Sequence, residues 1–123
     1  MLVSRLPWLL VTLMLSTALS ALNIFALAGH WYWTYRWFDT PMHMLGGATS
    51  AAFIVALAGR FRPFLFLAAI AAVAIGWEIF EWQFGLSREQ PNYVFDTLHD
   101  ILNDVIGAAL IYTLARYTLW RSA

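Results

Sequence analysis

Apolar residues occupy the chain in four long blocks, at about 7–29, 41–59, 63–86 and 93–115, with short polar stretches between them. A bilayer-spanning helix needs about 20 such residues, so each block is long enough to cross a membrane. The pattern predicts an all-α polytopic membrane protein, with four transmembrane helices in an antiparallel bundle and a single transmembrane domain over residues 1–123. Ser16, Ser20 and Asn23 interrupt the first block, and a helix in lipid accommodates such small polar residues. A cleaved signal peptide is the competing reading of that block, because Arg5 precedes it and Ala26-Leu27-Ala28 resembles a small-residue cleavage site. The apolar stretch is longer than the usual h-region of roughly 7–15 residues, which favours a retained span.

Proline at 41, 63 and 91 suits helix starts. The turn Arg60-Phe61-Arg62 and the link from Ser87 to Asn92 are short enough to make the helices they join antiparallel neighbours. Between the first and second blocks lie Trp31, Tyr32, Trp33, Tyr35, Trp37 and Phe38. That density of rings is expected where a chain runs along the headgroups.

Composition narrows the class further. Of 123 residues, 62% are hydrophobic and 11% charged, whereas a soluble domain carries roughly a quarter charged residues. Seven arginines balance seven acids, with no lysine, so the lipid bilayer is the partner implied and nucleic acid is not. Cysteine is absent, which removes disulfides, thiolate catalysis and cysteine-ligated metals. Arg5, Arg60, Arg62, Arg116 and Arg121 fall on one side of a four-span topology and Arg36 and Arg88 on the other. By the positive-inside rule both termini are cytoplasmic.

The remaining ionisable residues concentrate in three stretches: Asp39 to His43, Glu78 to Glu81, and Asp96 to Asp104. In an alternating topology these are three helix ends on one face of the bilayer, the non-cytoplasmic one. At 100° per residue Asp96, Asp100, Asn103 and Gly107 share a narrow helix face, with His99 on its shoulder. The same spacing aligns Asp39, His43, Gly46 and Ser50, provided the second helix extends back past Pro41. Gly46, Gly47 and Gly107 on or beside these faces permit close helix contact.

A charge at mid-bilayer costs from about 2.5 to well over 10 kcal/mol, so the cluster must be hydrated, protonated, paired or metal-bound. Asn103 and Asp104 lie roughly 10 and 12 Å below Asp96 at 1.5 Å per residue. Six carboxylates with two imidazoles and two nearby arginines leave excess negative charge, which a divalent cation would neutralise. Oxygen donors with a histidine suit Mg²⁺, Mn²⁺, Fe²⁺ or Zn²⁺. The candidate metal ligands are Asp39, His43, Glu78, Glu81, Asp96 and Asp100, supported by Asn103, His99 and Asp104. Plainer roles compete with these. Helix capping accounts for Asp96, Arg36 and Arg88 offer ion-pair partners for Glu78 and Glu81, either histidine fits as a satisfied core residue, and Trp77 and Trp82 fit an interfacial belt.

Asp39-x-x-x-His43 followed by Gly46-Gly47, then Glu78-x-x-Glu81, then Asp96-x-x-x-Asp100-x-x-Asn103-x-x-x-Gly107 resembles the VanZ-like and YjdF-like bacterial membrane proteins, the YjdF-like arrangement more closely. The pattern spans residues 39–107. The resemblance implies a multi-pass protein of the bacterial inner membrane whose acidic residues form a common site. It implies no particular reaction, and no serine-nucleophile motif, phosphate loop or nucleotide fingerprint is present to supply one. The leading expectation is an extracytoplasmic-facing site that binds a divalent cation and acts on an envelope lipid or other phosphate-bearing substrate. The alternative is a non-catalytic accessory subunit of a larger membrane complex. A proton or cation conduit ranks last, since the fourth block is apolar below Asp104 until Tyr112.

Overall fold

The computed structural model describes residues 2–58, 62–84 and 92–120. It contains five helices among them: α1 (Leu2–Ala28), the one-turn α2 (Trp31–Thr34), α3 (Asp39–Ala58), α4 (Pro63–Gln83) and α5 (Tyr93–Tyr117). Four of these are long and apolar enough to cross a membrane, with spans of 24, 20, 21 and 25 residues. Arg60, Arg88, Arg121 and Pro91, with most of both short connections, lie outside the described residues.

The polar character of the interior is that of a protein folded in lipid. Large side chains such as Leu13, Phe64, Leu65 and Leu110 face outward, while the fully covered positions include Ala51, Ala52 and Ala115. Lipid tails are as apolar as leucine, so nothing drives leucine inward. Close approach of helix backbones and polar contacts between them drive association instead. α3 is central, touching α1, α4 and α5, and its contact with α5 is the most extensive. Two glycines make that contact possible. A Cβ at Gly47 would collide with the Asp104 backbone, and one at Gly107 with the Met44 carbonyl. Gly46 has nothing within 4 Å of its would-be Cβ, so of the adjacent pair only Gly47 is needed for packing.

The ends of the bundle are fastened differently. At the end carrying Arg5, its Nη1 donates to the Leu57 carbonyl at 3.2 Å, and Arg116 Nη1 donates to the Trp120 carbonyl at 2.7 Å. Arg5 thus satisfies a carbonyl in the last turn of α3, and Arg116, in the last turn of α5, ties down the turn that follows it. At a helix C-terminus a cation also meets the favourable end of the helix dipole. Phe66, Tyr112 and Trp120 close this end as a ring cluster, with centroids 5.2 to 6.2 Å apart.

At the other end the chain reverses through His30, whose φ of 56° lies in the left-handed region. α2 then lays its rings against a small cluster of Ala26, Phe38 and Met42. Asn23, a polar interruption in the first apolar block, accepts a hydrogen bond from the Tyr32 hydroxyl at 2.8 Å. α3 begins at Asp39, two residues before Pro41. Proline is tolerated there because first-turn N–H groups have no intrahelical partner. The earlier start places Asp39 and His43 on one helix, one turn apart.

Candidate carboxylate and histidine site

Three helix segments bring the site together: the first turns of α3, the last turns of α4 and the first half of α5. His43 is its centre. Buried at 8% exposure, its ring meets carboxylates at both nitrogens. Nδ1 lies 3.1 Å from Asp104 Oδ1, and Nε2 lies 3.5 Å from Asp39 Oδ1 and 3.4 Å from Asp100 Oδ2. A neutral imidazole has one donor nitrogen and one acceptor nitrogen, and carboxylates only accept. One side of this ring therefore lacks a complementary partner unless a further proton, on the second ring nitrogen or on a facing carboxyl, or a metal ion enters.

The acids form two groups that meet at Asp100. Asp39, His43 and Asp100 offer ligand atoms all within 4.8 Å of one another, and so do Glu78, Glu81 and Asp100. Donors that bind one ion at about 2.0 to 2.5 Å stand at most about twice that far apart, so both groups are compatible with a shared cation. Asp100 is 2% and Glu78 5% exposed. Each has a buried oxygen, Asp100 Oδ1 and Glu78 Oε1, with no hydrogen-bond partner among the described residues. An acceptor left unpaired in a buried position costs about 1–3 kcal/mol, more for a charged group.

The other candidate residues take different places. Asp104 touches His43 directly. Asp96 is half-buried, one turn from Asp100 on α5, and belongs to neither group of three. His99 turns to its own helix, 3.2 Å from Asn103 Nδ2 through its Nδ1, with its ring stacked on Phe95. Among the described residues no ion pair joins Arg36 to Glu78 or Glu81.

Trp77, expected as a belt residue, also donates from Nε1 to Glu81 Oε1 at 3.0 Å. Its spacing of four residues from Glu81, which goes unused in the sequence reading, is the signal that could have found this contact. Tyr32 on α2 stands near the same acids. Burial first, then the charges of Asp39 and Glu81, push its phenol above the usual value near 10. The aromatic segment therefore rims the acidic end of the bundle.

Neither the curated proteins nor the solved structures contain a match to this chain. A family model described as predicted membrane protein (DUF2238) does match it, over residues 2–121. Since that match takes in every helix and all three polar stretches, the chain belongs to the DUF2238 family of predicted membrane proteins.

Proposed function

We propose that this protein binds a divalent cation between α3, α4 and α5 and uses it on an envelope lipid or other phosphate-bearing substrate. The observation that carries the reading is the pair of three-residue donor groups sharing Asp100, with buried oxygens of Asp100 and Glu78 lacking partners. Only one histidine belongs to these groups, so the donor set is dominated by carboxylate oxygen. That favours Mg²⁺ or Mn²⁺ over Zn²⁺. Such an ion offsets the charge of the acids and polarises a phosphoryl oxygen. Asp39, His43, Glu78, Glu81 and Asp100 are the ligand candidates, with Asp96 a further acid at the mouth.

In this reading the helices form an antiparallel bundle in a bacterial inner membrane, both termini are cytoplasmic, and the site opens to the extracytoplasmic side. Arg5, Arg62 and Arg116 at the opposite end support that orientation. The VanZ-like and YjdF-like spacing of the motifs supports an inner-membrane protein whose acidic residues form a common site.

A second reading, a non-catalytic subunit whose polar cluster locks the fold, draws on the His43 contacts, which tie α3 to α5 by themselves. Calorimetric titration of the detergent-purified protein with Mn²⁺ separates the two. The cation reading predicts saturable binding that Asp100→Asn abolishes while the helical circular dichroism spectrum is kept. Unchanged Mn²⁺ affinity in that variant removes Asp100 from the site, and a loss of folding without any Mn²⁺ binding in the parent protein favours the second reading.

A further inference from the structure

α4 is held to α5 far less extensively than α3 is, and the seam between them contains two cavities. One, of about 320 Å³, has apolar walls from Ile75, Ile79 and Ile101 and a polar end formed by Glu78 and Thr97. The other, of about 270 Å³, is lined by residues that include Phe66, Leu67, Ile70, Val105 and Ala109. On α4 they occupy positions 75–82 and 63–70, so together they follow one seam over some 20 residues. At 1.5 Å per residue that is roughly 30 Å, the thickness of a bilayer's hydrocarbon core. The seam is polar at the acidic end of the bundle and apolar for the rest of its length, as an amphiphile is.

The polar end also specifies what it would bind. Glu78 Oε1 and Thr97 Oγ1 are buried, and neither meets a described residue in good hydrogen-bond geometry, although the Thr97 hydroxyl stands close enough to the Glu78 carboxylate to interact with it. An ionised carboxylate can only accept hydrogen bonds, so the group complementary to an ionised Glu78 is a donor. Glu81 and Asp100 stand beside Glu78, their ligand atoms within 4.8 Å of its own, and this concentration of acids favours a cation and disfavours an exposed anion. A primary ammonium meets both demands with three donors and a positive charge, whereas a trimethylated ammonium has no donor to give.

We propose that the α4–α5 seam binds a membrane lipid with a primary-ammonium headgroup, its ammonium at Glu78 and Thr97 and one acyl chain running along the seam into the second cavity. This does not rest on the cation reading: a metal ion and an ammonium would compete for Glu78 Oε1, so lipid binding is assayed with metal removed.

The test is native mass spectrometry of the full chain in detergent micelles containing excess chelator, titrated separately with dioleoyl phosphatidylethanolamine, phosphatidylcholine and phosphatidylglycerol. The ethanolamine lipid is expected to bind about tenfold more tightly than the choline lipid, the scale of a charge-assisted hydrogen bond. Glu78→Gln removes that preference. Ala109→Phe, placed at an exposed position lining the second cavity, weakens both lipids alike while leaving their ratio. Equal binding of ethanolamine and choline lipids by the parent protein overturns the proposal, as does preference for the glycerol lipid or an Ala109→Phe variant that binds as the parent does. Because chelator is present throughout, failure of metal binding leaves these outcomes intact.

Discussion

Replacing His43 by leucine is expected to destabilise the protein by about 3–5 kcal/mol, the scale for removing one partner of a buried ion pair. Asp39, Asp100 and Asp104 all approach the imidazole within 3.5 Å. Without the ring they face one another with no positive charge between them, and only a proton taken up by a carboxyl, as between Asp39 and Asp100, would offset the repulsion. Asp100, at 2% exposure, is too buried for surrounding water to offset this cheaply. The measurement is the midpoint of reversible unfolding in mixed micelles of increasing sodium dodecyl sulfate fraction. The double variant His43→Leu, Asp104→Leu should recover part of the loss, since it removes one of the stranded carboxylates together with the ring. A His43→Leu variant within about 0.5 kcal/mol of the parent, the range of an ordinary surface substitution, would mean that the ring does not hold these acids.

The second large effect belongs to Gly107. Gly107→Val should cost about 3 kcal/mol or more, the upper range for overpacking a tight core. A side chain there meets the Met44 carbonyl and the Ala48 backbone nitrogen, neither of which can move without moving α3. Gly47 faces the Asp104 backbone in the same way, so the two glycines set the α3–α5 separation from both sides. That separation is also the one at which His43 reaches Asp104 and Asp100. Gly107→Val should therefore weaken Mn²⁺ binding along with the fold. Gly46→Ala, with no atom within 4 Å of the new methyl, should stay within about 0.5 kcal/mol of the parent in the same unfolding titration. Equal effects at Gly46 and Gly107 would contradict the close-contact account.

Much of the architecture could be read from the chain because lipid imposes a simple demand. Every span must be long, apolar and helical, and the blocks that meet this demand are visible without any neighbour. The gathering of the acidic stretches at one end was legible for the same reason, since it depends only on which helix ends each stretch occupies. What stayed hidden depends on how far each helix is rotated toward its neighbours. Gly46 and Gly47 are chemically identical in the sequence, yet only Gly47 faces α5. His43 was expected as a ligand and His99 in a supporting place, and the His99 ring is taken by Asn103 and Phe95. Asp104 was expected in a supporting place and stands against His43. The start of α3 at Asp39 was masked by Pro41, whose ring reads as a helix start but fits a first turn equally well. The one-turn α2 is too short for any periodicity to announce it.

The most direct test of the central claim is the metal content of the detergent-purified protein, measured by elemental analysis beside a Glu78→Gln, Asp100→Asn double variant at matched purity. The two substitutions remove one carboxylate charge unique to the second donor group and the one shared by both. A divalent metal present in stoichiometric amount in the parent and lost from a variant that keeps its helical spectrum is the result this account predicts. The absence of metal from both proteins, after supplementation with Mg²⁺, Mn²⁺, Fe²⁺ and Zn²⁺ as well, would contradict it and leave the carboxylates and His43 as a lock between helices.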